Sequence, residues 1–180
     1  MGSSGTLISA GALKSLAFVT PIHLSDNGIK IFKQPIANHN YVLVADTSRG
    51  KGLDYSALTV IDTTEVPYRL VATYKDNNIS PLVYPTIIKK LGDYYNGAYV
   101  LVEINDNGQQ VVDSLFEDYG YENILSTVEM QKKMVVTWGY GTKSQRGIRT
   151  TKSVKRLGCS ILKNLIENQK LIIQDFDTIA

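Results

Sequence analysis

The chain has one cysteine, two histidines and five prolines in 180 residues. A single cysteine, Cys159, excludes an intramolecular disulfide and fits a reducing compartment. The histidines, His23 and His39, lie outside the regular apolar pattern, which argues against a histidine-built zinc site or a catalytic triad. No apolar run reaches the roughly 18 residues that a membrane-spanning helix needs, so no membrane partner is expected. The start, MGSSGTLISAG, has no basic stretch followed by an apolar one and does not read as a signal peptide. A phosphate-binding GxxxxGK[ST] loop is missing too, and SRGKG (48–52) resembles it only in composition. No repeat or low-complexity segment appears. What remains is an ordinary globular composition, 43% hydrophobic and 20% charged, with length for one domain and a substantial core.

Charge is unevenly spread beneath a net value of +2. Residues 41–129 hold 13 acids against 6 lysines and arginines. Residues 130–160 hold Lys132, Lys133, Lys143, Arg146, Arg149, Lys152, Lys155 and Arg156, and no acid. An acidic centre beside a basic flank suits a metal-dependent enzyme acting on a polyanion; a solvated basic face is the plainer reading.

Residues 1–40 read as an entry segment, with IKIFKQPI able to form an edge strand or hairpin. YVLVAD (41–46) is an apolar run of the kind buried on both faces of a sheet. SALTVIDTT (56–64) and YRLVATYK (68–75) follow, and the three together read as an antiparallel meander. Ser80-Pro81 predicts a helix start, with Leu82, Ile87, Ile88 and Leu91 for burial and Asn96-Gly97 as its end. AYVLVEI (98–104) is a second buried strand. Residues 108–119 read as a helix burying Val111, Val112, Leu115 and Phe116, and ILSTV (124–128) as a further strand. TWGYGTKSQRGIRTT (137–151) predicts a long loop or hairpin, 153–169 an amphipathic helix, and LIIQDF (171–176) a short β-like piece. Three hairpin strands followed by α-β units give an α/β class: a mixed sheet flanked by helices.

Two strands end on an acid in the same way, at Asp46 and Glu103. A carboxylate buried without a partner is expensive, and two side by side repel. Both difficulties disappear if a divalent cation lies between them, and Mg²⁺ or Mn²⁺ asks only for oxygen ligands. In this topology the first strand is central and the strand after the first helix lies beside it, so Asp46 and Glu103 become neighbours. The alternative is two separate turn acids. Asp54 is a third acid nearby, either a metal ligand through water or a residue that fixes the turn. Asp62, Asp106, Asp175 and Asp177 have weaker claims. In NDNG (105–108), Asp106 or Asn107 is expected to cap the following helix. Arg49 or Lys51 would come near a negatively charged substrate. Lys143, Arg146, Arg149, Lys152 and Lys155 are the candidate contacts to a polyanion, and the three-residue interval of the last four would gather several on one face of a helix. Trp138 and Tyr140 read as packing residues at the base of a loop.

The segments VADTSRGKGLDYSALTVID, VLVEINDNGQQV, TWGYGTKSQRGIRTTKS and KLIIQDFDTIA together resemble the nuclease domain of the large terminase subunit of tailed bacteriophages, in the T-even-like branch. The resemblance runs from about residue 40 to the end. It implies an RNase H-like fold with acids holding two divalent ions, Mg²⁺ or Mn²⁺, and an endonuclease that cuts concatemeric double-stranded DNA during packaging. It carries the first acid onto Asp46 and the second onto Glu103; the family's third acid would follow Ala180. Residues 1–40 become the segment joining a separate N-terminal ATPase domain, and 41–180 the nuclease domain. The implied partners are that ATPase domain, the portal and the small terminase subunit, in the cytoplasm of the infected host. A non-catalytic docking module of the packaging motor is the rival. Actin-like ATPases and sugar kinases, which share an aspartate ending the first strand, need a second domain and a glycine-rich phosphate loop.

Overall fold

The structure, a computed structural model, describes residues 7–14, 16–25, 27–130, 133–139 and 144–179. Its elements are α1 (Ala10–Lys14), β1 (His23–Leu24), β2 (Ile29–Ile31), β3 (Tyr41–Asp46), β4 (Ser56–Asp62), β5 (Tyr68–Asp76), α2 (Tyr84–Tyr94), β6 (Tyr99–Val102), α3 (Gly108–Glu117), β7 (Ser126–Met130), β8 (Lys133–Thr137), β9 (Gln145–Arg146), α4 (Lys152–Glu167), β10 (Leu171–Ile172) and α5 (Phe176–Ile179). The main sheet runs β1-β2-β5-β4-β3-β6, and β10 also pairs with β5. Strands β3, β4 and β5 form the expected antiparallel meander, and β6 lies parallel to β3. The hairpin from the entry segment extends the sheet, since β2 pairs with β5. Strands β8-β7-β9 make a separate small sheet.

Helices α2 and α3 cover one face. Ile88 and Leu91 of α2, with Val111, Val112 and Leu115 of α3, pack on Leu43, Ala45, Val60, Val100 and Val102 in the larger core. On the other face a smaller cluster joins Ile166 of α4 and Leu171 and Ile173 to Leu70 of β5. That second layer covers the β5 side of the sheet only. Strand β3 is therefore not buried on both faces: Tyr41, Leu43 and Ala45 point into the core, while Val44 stays 38% exposed. Asp46 follows Val44 in the alternation and lies on the open face.

Helix α2 begins three residues later than Ser80-Pro81 suggests, at Tyr84, after a turn in which the Ser80 carbonyl accepts from Val83 and Tyr84. The second proline gives the reason. Pro85 inside a helix begun at Pro81 would lack its amide bond and clash with the carbonyl four residues back, so the helix can start only where Pro85 falls in its first turn. Leu82 is left exposed rather than buried. Asn96 and Gly97 do close the helix, both at positive φ. Helix α4 starts at Lys152, capped by the Thr151 hydroxyl accepting from the Val154 amide.

The buried Tyr95 hydroxyl ties the entry segment to the sheet, donating to the Lys33 carbonyl at 2.8 Å and lying 3.3 Å from that of Val71. Tyr95→Phe keeps the ring and removes only this link. Denaturant unfolding should show a loss of about 1–2 kcal/mol, and an unchanged midpoint would mean that the link carries no stability.

Candidate metal centre

Parallel pairing of β3 with β6 sets Ala45 opposite Val102, so the next residues, Asp46 and Glu103, stand side by side where the strands end. The Glu103 amide donates to the Ala45 carbonyl at 2.8 Å, extending the ladder one step. The two carboxylates are within hydrogen-bonding reach of each other. Partial burial first, then the Glu103 carboxylate, push the Asp46 carboxyl from its ordinary 3.8 up to about 6, and Asp54 adds to the push. The Thr47 amide, which donates to Asp46, works in the opposite direction.

The four acids with weaker claims in the sequence have basic partners. Asp62 bonds His39 Nδ1 at 2.7 Å, Asp175 and Asp177 share Lys30, and Asp106 faces Arg49 at 3.6 Å. Among the described residues, Asp46 and Glu103 have no such cation. Next to them, the buried Thr47 hydroxyl has no hydrogen-bond partner among the described residues. Two adjacent carboxylates without a counter-ion, beside an orphan hydroxyl, fit a hydrated divalent cation. Mg²⁺ is usually held by one or two carboxylates, its remaining ligands being water and substrate phosphate. No third His, Cys, Asp or Glu joins the pair closely enough to make a three-residue metal group among the described residues. Asp54 lies exposed in the loop between β3 and β4.

The pKa shift has a definite sign. The folded chain holds the Asp46 proton more tightly than the unfolded chain, so the cost of this carboxylate to the metal-free fold is absent below about 4 and complete above about 6. A metal ion competes with that proton. Mn²⁺ affinity should therefore be flat above pH 7 and fall about tenfold per pH unit below 6, for one displaced proton. Mn²⁺ titrations between pH 7.5 and 5 test this, and affinity unchanged down to pH 5 would contradict it.

A basic segment is fastened directly to this pair. Ile148 donates to the Val102 carbonyl at 2.8 Å and accepts from Ile104 at 2.9 Å, forming a parallel bridge beside Glu103. The four cations therefore do not share one helix face. Arg146 is in β9 with its guanidinium 3.5 Å above the Phe116 ring, Arg149 is in the exposed linking loop, and only Lys152 and Lys155 are helical. Lys143 and Tyr140 lie outside the described residues. Trp138 packs edge-on against Tyr99 with centroids 4.6 Å apart, yet stays 61% exposed. Arg49 is two-thirds exposed and reaches from the loop after β3 to Asp106 in the loop after β6. Asp106 thus serves Arg49, and neither it nor Asn107 caps α3 with its side chain. A cavity of about 530 Å³ between the β1–β2 hairpin and α2 is lined by no acid among the described residues and lies away from the carboxylates.

Residues 43–179 match the model of the terminase RNaseH-like domain family, which is most of the chain. The chain belongs to the terminase RNase H-like domain family. The large terminase nuclease of thermophilic phage G20c, solved with bound magnesium, superposes with a TM-score of 0.71 at 17% identity, covering 98% of this chain and 78% of that one. The same nuclease with bound cobalt gives 0.72 at 17% identity, again over 98% and 78%. The Thermus phage P74-26 large terminase nuclease domain gives 0.66 at 18% identity, over 97% and 74%. At these identities the likeness is one of fold, and it agrees with the expected RNase H-like mixed sheet flanked by helices. In this terminase domain the strand-end carboxylates were legible in the sequence. The Thr47 hydroxyl, the Arg49–Asp106 pair and a hydrogen bond from Asn105 Nδ2 to Glu103 at 3.1 Å were not.

Proposed function

We propose that this domain is a divalent-metal-dependent endodeoxyribonuclease that cuts concatemeric phage DNA during packaging. The observation that carries the reading is the Asp46–Glu103 pair, two adjacent carboxylates with no basic partner among the described residues. The G20c and P74-26 structures, described as terminase nucleases and in two cases metal-bound, support the same reading. Asp46 and Glu103 would hold Mg²⁺ or Mn²⁺, two ions in the full site, with Asp54 acting through water. The ions would supply charge stabilisation at the scissile phosphate and activation of the attacking water. The chain's own part is to align the two carboxylates, and to seat the duplex. Arg49 is positioned to leave exposed Asp106 for a phosphate, because a surface ion pair of this kind is weak. Arg149, Lys152 and Lys155 would hold the DNA backbone without reading sequence.

The wider setting is part of the proposal. Residues 1–40 would join an ATPase domain, the portal and small terminase subunit would be partners, and the work would occur in the host cytoplasm. The quoted sequence segments support placement in the T-even-like branch. Among the described residues no helix is long and apolar enough to cross a membrane.

Supercoiled plasmid incubated with Mn²⁺ or Mg²⁺ should be nicked and then linearised, and should survive in EDTA. Survival in both conditions would remove the enzyme reading and favour a docking module, the alternative raised by the absence of a third acid in the cluster among the described residues. Replacing Arg149, Lys152 and Lys155 together by alanine should flatten the slope of log affinity against log salt by about 3 for duplex in EDTA. An unchanged slope would place the DNA elsewhere.

A further inference from the structure

The Asn105 side chain uses one amide group on two acceptors. Its Nδ2 donates to Glu103 Oε1 at 3.1 Å and to the Thr150 carbonyl at 3.2 Å. An amide nitrogen carries two hydrogens, so both bonds form at once. The opposite orientation would set the amide oxygen against two acceptors, and the contacts themselves therefore fix the assignment. The Asn105 backbone is held as well, because its carbonyl accepts from the Gly108 amide at 2.9 Å in the turn that opens α3. The donor is thus anchored from behind, and its two acceptors belong to different functional parts. One is the carboxylate of the candidate metal pair. The other immediately precedes Thr151, the cap of α4, whose first turns carry Lys152 and Lys155.

We propose that Asn105 is a positioning residue, which aims the Glu103 carboxylate toward Asp46 and couples it to the basic entrance of α4. The proposal rests on the nuclease reading and deepens it. Without this donor the Glu103 side chain is free to swing, since it has no basic partner among the described residues and only an equally charged neighbour in Asp46. Hydrogen bonds to ligating carboxylates commonly set metal affinity by one to two orders of magnitude. The isosteric Asn105→Asp change would be worse than loss of the side chain, because it puts a third oxygen-only group against Glu103 and the Thr150 carbonyl.

Mn²⁺ binding without DNA, followed by calorimetry at pH 7.5, tests this alongside thermal unfolding in EDTA. Asn105→Ala should weaken Mn²⁺ about 10-fold or more, and Asn105→Asp at least as much, with both variants still melting cooperatively. In a Glu103→Ala background the same changes should cost nothing further. Two results would overturn the positioning role and leave the carboxylate site standing: Mn²⁺ affinity in both single variants equal to that of the wild type, or a full loss that persists without Glu103. Failure of the wild-type protein itself to bind Mn²⁺ would overturn both this role and the nuclease reading.

Discussion

Asp46→Asn is expected to abolish cleavage while making the metal-free protein more stable. The loss follows from removing a carboxylate that would hold the ion. A deficit of about 4 kcal/mol in transition-state stabilisation corresponds to roughly 10³-fold in rate. The gain follows from relieving the partial burial of a charge, and then its repulsion by Glu103, which together raise the Asp46 carboxyl to about 6. At full strength that shift would be worth about 3 kcal/mol, and solvent contact reduces it to about 1. In EDTA at pH 7.5 the melting temperature should rise by about 2–4 °C. At pH 4 the gain should disappear, since Asp46 is then protonated in the folded protein. Few substitutions remove activity and add stability together, and that combination marks strain kept for function. A drop in melting temperature in EDTA would mean that Asp46 is a structural acid.

Gly108→Ala is expected to destabilise the domain although alanine is the better helix former. Propensity alone assigns the change a gain of about 1 kcal/mol. The local geometry reverses that sign, because a Cβ at Gly108, the first residue of α3, would overlap the carbonyl of Glu103. Both partners are backbone, so no side-chain rotation relieves the contact. Either α3 lifts from the sheet or Glu103 moves away from Asp46. We expect a loss of about 3 kcal/mol, or roughly 6–12 °C, together with loss of metal-dependent cleavage. Gly158→Ala in α4 is the matched control, since a Cβ there meets nothing within 4 Å. It should stabilise by about 0.5–1 kcal/mol. Equal gains at both positions would refute the close approach of α3 to Glu103.

Much of this frame was legible in the residues because burial imposes a period. The meander, α3 and α4 each carry one apolar face, and the strand ending at Asp46 was read at its observed bounds, while the strand before Glu103 was read two residues past its observed end at Val102. The failures have equally local causes. Strand β8 gave no alternating signal because both of its faces meet solvent, with neighbouring Val135 and Val136 each more than 40% exposed. YVLVAD reads as buried on both faces, yet the second layer of helix stops short of β3 and leaves Val44 open. The even spacing of Arg146, Arg149, Lys152 and Lys155 imitates a helix face, but Gly147 and Ile148 are pinned to Leu125 and Val102 by backbone bonds. NDNG looks like a helix cap, while its work is divided between Asn105 at Glu103 and Asp106 at Arg49. Such cross-chain partners leave no spacing in the sequence to find.

The proposed metal site and the role of Asn105 both depend on one location, the ends of β3 and β6. Crystals soaked in Mn²⁺ and measured near the manganese absorption edge would test it most directly. An anomalous peak bonded to the carboxylates of Asp46 and Glu103 is expected, lost in Asp46→Asn crystals soaked in the same way. A protein that cleaves DNA with Mn²⁺ but shows its peak elsewhere, away from both carboxylates, would contradict it.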